Sequence, residues 1–96
     1  MAFKPAAAVS VCRRGGAVTS FDRLNKYFTI NNMPVVPSQY WNVVFGREPG
    51  EARLDAEGLQ TMRTLARNMA WMLRNLHGEH TAAPAAEPRI PTNFIR

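Results

Sequence analysis

Residues Ala6 to Cys12, AAAVSVC, are nearly all apolar, and a turn bearing two arginines and two glycines, Arg13 to Val18, follows at once. An amphipathic run comes next, and then a second short apolar run, Met33-Pro34-Val35-Val36. This order of strand, helix and strand narrows the fold more than any other feature. It is a βαβ unit, whose strands run parallel and whose crossover is right-handed. A strand that is apolar throughout, instead of alternating, belongs in a sheet covered on both faces. Pro34 lacks an amide donor and suits the start of a strand at a sheet edge.

Two helices are predicted. Thr19 followed by Asp22 reads as a capping box with Asp in place of Glu, and Phe21, Leu24, Tyr27 and Phe28 fall on one face behind it. Asn31-Asn32 ends that helix, because Asn tolerates left-handed backbone. Pro37 to Arg53 is irregular. Asp55 then caps the longest helix, with Glu57 complementing its dipole. Leu59, Met62, Leu65, Ala66, Met69, Met72, Leu73 and Leu76 form its apolar stripe, while Gln60, Arg63, Thr64, Arg67, Asn68, Arg74 and Asn75 face away. Residues 1–78 make the folded part, and 79–96 an Ala/Pro-rich extended tail whose last residues, Asn93 to Arg96, are apolar enough to dock. Two strands and two helices cannot close a doubly wound sheet. The fold class is α/β, a partial parallel sheet that forms the end of a larger domain.

Composition limits the partners. Twelve Lys and Arg stand against seven Asp and Glu, a net charge of +5 that favours anions such as nucleic acid or phosphorylated cofactors. Cys12 is the single cysteine, which excludes an internal disulfide and fits a reducing, cytoplasmic setting. No apolar run approaches the ~20 residues that cross a bilayer. A basic glycine turn at the carboxyl end of a parallel strand, opening a helix, offers amides and guanidinium groups to an anion; the alternative is a solvated loop. Cys12 reads as a small buried hydrophobe or as a thiol made acidic by Arg13. Arg63, Arg67 and Arg74 form a solvated face or a nucleic-acid surface, the latter lacking interleaved aromatics apart from Trp71. His77 and His80 flank Glu79 at a metal-like spacing but lack convergent partners.

FKPAAAVSVCRRGGAVTSFDRLNKYFTINNMPVVPSQYWNVVFG, then EGLQTMRTLARNMAWMLRNL and the closing TNFIR, resemble the NADPH-dependent FMN reductase-like group of flavodoxin-like proteins, near the iron–sulfur flavoproteins. The resemblance implies a five-stranded parallel sheet between helices, of which this chain supplies the last two strands and last two helices. The family's FMN-phosphate loop and the loop that packs on the flavin ring belong to an N-terminal half without counterpart in these residues. The cysteine cluster of the iron–sulfur relatives likewise has no counterpart in these residues.

On that template the chain is the C-terminal portion of an FMN-dependent NAD(P)H oxidoreductase, with FMN as cofactor, NADPH or NADH as electron donor, and a homo-oligomeric state. The cofactor-binding candidates are Cys12, Arg13, Arg14, Gly15, Gly16, Tyr40 and Trp41. The arginines supply charge beside the flavin or to the nicotinamide nucleotide's phosphates, and the glycines allow close backbone approach. Tyr40 and Trp41 stack on a flavin, line a subunit contact or cover the sheet edge. Gln39 and Asn42 bond either the loop backbone or a ligand. No catalytic acid, base or metal site is expected. The rival readings are a non-catalytic fragment acting as an assembly partner and a basic nucleic-acid-binding module.

Overall fold

The computed structural model describes residues 2–77, 83–88 and 90–91. The elements run β1 (Ser10–Cys12), α1 (Ala17–Ile30), β2 (Val43–Phe45), a 3-10 turn (Glu51–Leu54) and α2 (Ala56–Leu76). β1 and β2 pair in parallel, with Ser10 against Val43 and Cys12 against Phe45. The architecture is therefore α/β with a small parallel sheet, the arrangement expected of part of a flavodoxin-like domain.

The second strand departs from the expectation. Met33–Val36 contributes one parallel bridge, Ala6 against Val35, and regular pairing resumes only at Val43. Four steps along the first strand, from Ala6 to Ser10, thus match eight along the second, from Val35 to Val43. Four residues are looped out between them. Tyr40 and Trp41 sit in this interruption, their rings tilted at 45° with centroids 5.1 Å apart.

The gap in the ladder is closed by a side chain. Asn42, only 2% exposed, donates from Nδ2 to the carbonyl of Ala8 at 3.0 Å, and Ser38 Oγ lies 2.7 Å from its Oδ1. A buried carbonyl must be paired, and the amide of Asn42 takes the place of the displaced main chain. Asn42 thus bonds main chain, that of the first strand and not of its own loop. Gln39 Nε2 reaches Thr61 Oγ1 on α2 at 3.4 Å.

Val43 and Val44 are consecutive and both buried, so both faces of β2 are covered. α1 packs across both strands, α2 packs against β2 without reaching β1, and the two helices do not touch each other. They cover the sheet from opposite faces. Ala6, Ala8, Ala17, Val36 and Leu65 complete a small core.

Both helix boundaries have clear causes. Asp55 Oδ1 accepts the Gly58 amide at 2.9 Å and caps α2, as predicted. Asn31 ends α1 and Asn32 follows at φ 58, the left-handed turn predicted there. The buried face of α2, however, centres on Gly58, Thr61 and Leu65, and Asn68, half-buried, donates to the Pro37 carbonyl at 2.8 Å. Ala66, assigned to the apolar stripe, is exposed. Among the described residues no helix is long and apolar enough to cross a membrane. Residues 83–88, 90 and 91 carry no helix or strand; His80, Glu79 and Asn93 to Arg96 lie outside the described residues.

Candidate functional site

The turn after β1 starts from backbone chemistry. Cys12, a half-buried free thiol, ends the strand, and its carbonyl accepts the Gly46 amide at 3.1 Å. This bond ties the exits of the two parallel strands together. Arg13, Arg14, Gly15 and Gly16 then run exposed across the carboxyl end of the sheet. Gly16 precedes α1 at φ 86, a left-handed conformation that costs other residues.

The predicted capping box is not formed. α1 begins at Ala17, so Thr19 and Asp22 lie inside it, and no side chain caps its N-terminus. The left-handed glycine turns the chain into the helix three residues early, which takes the Thr19 hydroxyl out of capping position. The consequence matters for binding. The first-turn amides of α1 lack a side-chain acceptor, and no acid stands in the first turn. Among the described residues the ion pair is Arg47 with Glu48 at 2.9 Å, and neither Arg13 nor Arg14 is paired with an acid. A Cβ at Gly15 or Gly16 would meet nothing within 4 Å, so the approach to this turn is open.

The neighbouring exit, after β2, is the opposite in character. Glu51 Oε2 accepts the amides of Arg47 and Glu48, each at 2.7 Å. These bonds, the one from Glu48 foremost, hold the Glu51 carboxyl below its ordinary range. Asp55 Oδ2 accepts the Phe45 amide at 2.8 Å while Oδ1 caps α2. The Gly58 and Phe45 amides together lower its pKa. This loop satisfies its own donors. The turn after β1 does not.

The seven predicted site residues fall into two groups. Cys12, Arg13, Arg14, Gly15 and Gly16 are together at the carboxyl end of β1. Tyr40 and Trp41 lie apart from them, inside the interruption of the second strand and just before Asn42, which pairs with Ala8 and Ser10. Arg13 lines an open groove with Phe45, Gly46, Arg47, Glu51, Leu54 and Asp55. Tyr40 lines a smaller cleft with Val43, Phe45, Asp55, Glu57, Gly58 and Thr61. Phe45 and Asp55 stand between the two.

Sequence reasoning gave Asp55 its cap but missed its bond to β2, and missed Gly58 altogether. A Cβ at Gly58 would fall on the Asp55 carboxylate and within 3.2 Å of Val44 Cα. The glycine lets the first turn of α2 lie directly on β2. Its position three residues after an Asp cap was the only available signal.

A glycine-bearing turn from the carboxyl end of a parallel strand into a helix is a feature of nucleotide-binding α/β proteins. The chain is similar to an iron-sulfur flavoprotein. Over 74 residues, 72% of this chain, it is 31% identical to one from Methanocaldococcus jannaschii, and it spans 38% of that relative's length. No family model matches the chain. No solved structure matches it either.

The residues fit the two groups in that relative's name differently. Iron–sulfur clusters are held by several cysteine thiolates, and Cys12 is the one cysteine here. Among the described residues no three His, Cys, Asp or Glu side chains converge. This chain does not supply a cluster site. The turn from Arg13 to the start of α1, with its open approach and free donors, does suit the anionic edge of a flavin nucleotide.

Proposed function

We propose that this chain is part of a flavoprotein in which the Arg13–Gly16 turn and the first amides of α1 form one wall of an FMN site. The observation that carries the reading is the uncapped start of α1, set behind two unpaired arginines at the exit of a parallel strand. Uncapped amides and the helix dipole favour negative charge. FMN bound in such a protein would supply hydride exchange with NADPH or NADH. Arg13 and Arg14 would favour negative charge on the bound nucleotide, and Gly16 would keep the main chain close to it.

Similarity to an iron-sulfur flavoprotein supports the flavin, while the nicotinamide donor rests on the family resemblance. Tyr40 and Trp41 take a supporting place in this proposal, since their loop is set back from the strand ends. The test is purification of the chain with added FMN, followed by spectroscopy of the retained chromophore. Retained flavin absorbance that disappears in the Arg13→Ala, Arg14→Ala double variant is the expected result. Absence of any flavin from the wild-type chain, or its undiminished retention by the double variant, contradicts it.

A further inference from the structure

α2 carries a second face that the fold does not use. Gly58, Thr61 and Leu65 are buried on the side that meets β2. At 3.6 residues per turn, Arg63, Arg67, Trp71 and Arg74 share an arc of about 80° on the far side, spread over about 16 Å of the axis. All four are exposed, Trp71 to 65%.

Three features set this face apart from an ordinary solvated one. Exposed helix faces gain from opposite charges four residues apart, whereas Arg63 and Arg67 form a like-charge pair at that spacing. No Asp or Glu follows Glu57 in the helix, and among the described residues none of the three arginines is ion-paired. A large indole also stands in the same row, four residues after Arg67 and three before Arg74, and gives its surface to solvent instead of the core.

We propose that this face of α2 binds single-stranded nucleic acid, with the guanidinium groups on phosphates and the Trp71 ring as a stacking platform for a base. A membrane surface fits less well. An interfacial helix needs an apolar face free to insert, and Leu59, Met62, Leu65, Met69 and Met72 are buried or half-buried. An acidic polypeptide would answer the arginines but leaves the exposed indole without a planar partner. The proposal goes beyond the flavin reading and does not depend on it.

The test is fluorescence anisotropy of labelled twelve-nucleotide oligo(U) and oligo(dT), titrated with the full chain between about 50 and 200 mM salt. Binding of at least one is expected, and the tighter of the two identifies the sugar. Log affinity should fall with log salt at a slope of about −2, near 0.7 for each arginine. Arg63→Ala with Arg67→Ala should weaken binding at least tenfold at the lowest salt and bring the slope to about −0.7. Trp71→Ala should weaken it at least fivefold and leave the slope unchanged, a split that loss of charge alone does not produce. Arg23→Ala with Lys26→Ala, which removes two exposed charges from α1, should do neither. Absence of binding to both oligonucleotides, indifference to Trp71→Ala, or an equal loss in the α1 double variant would each overturn the proposal. So would tighter binding, dependent on Arg63 and Arg67, to phosphatidylserine vesicles or to polyglutamate. None of these outcomes bears on whether the Arg13–Gly16 turn binds FMN.

Discussion

Asn42 shows how one side chain can stand in for a displaced piece of backbone. Without it the Ala8 carbonyl would be buried and unpaired, which costs about 1–3 kcal/mol. Asn42→Ala should lower stability by that amount in urea unfolding, and Asn42→Asp, which loses the donor, should not restore it. Asn25 presents the reverse case. Its Oδ1 is buried on α1 with no partner, and Ala is the better helix former. Asn25→Ala should raise stability by about 0.5–1 kcal/mol, and a fall in the urea midpoint would contradict that account. The sequence raised Asn42 as a polar residue needing a partner. It could not show which, because the partner lies on a different strand and depends on a register set by tertiary packing.

At the scale of elements, the two helices begin in opposite ways, and only one beginning was legible. The Asp55 cap of α2 is a local signal, written in residues three apart. The start of α1 is set by the left-handed Gly16, and Thr19-x-x-Asp22 matched a capping motif that the chain does not use. The second strand was misplaced for a related reason: Met33–Val36 and Val43–Phe45 are both short apolar runs, and only pairing with β1 separates a bridge from a strand. Burial of Thr61 was hidden as well, since it reflects the close approach that Gly58 permits. Gly58→Ala therefore reverses the usual sign. In a free helix it would stabilise by up to about 1 kcal/mol; here thermal unfolding should show a loss, as the methyl displaces Asp55 from Phe45. Asp55 and Glu51 also set the acid limit. Their folded pKa values are depressed, so their contribution is complete above the unfolded carboxylate pKa, about 4, and is lost as pH falls below it through the folded values. Asp55→Asn should flatten the decline in stability measured between about pH 4 and pH 2.

For the whole molecule the decisive contrast is between a small core and much exposed apolar surface. Val11, Tyr27, Ile30, Leu54 and Trp71 are all more than half exposed, while the buried hydrophobic side chains are mostly Ala and Val. A two-stranded sheet with this little burial is marginal in isolation. The parallel βαβ order and the incomplete sheet were readable from the sequence, because they follow from apolar runs and their spacing. The position of Tyr40 and Trp41 was not, because an interruption inside a strand leaves no mark in hydrophobic periodicity. The proposed flavin site depends on the donors at the exit of β1 meeting the nucleotide. Its most direct test is an amide-resolved NMR titration of the isotope-labelled chain with millimolar FMN. Shifts concentrated at residues 13 to 19, and abolished when Arg13 and Arg14 are both replaced by Ala, are predicted. A titration that leaves those amides unmoved, or moves them equally in the double variant, would contradict it.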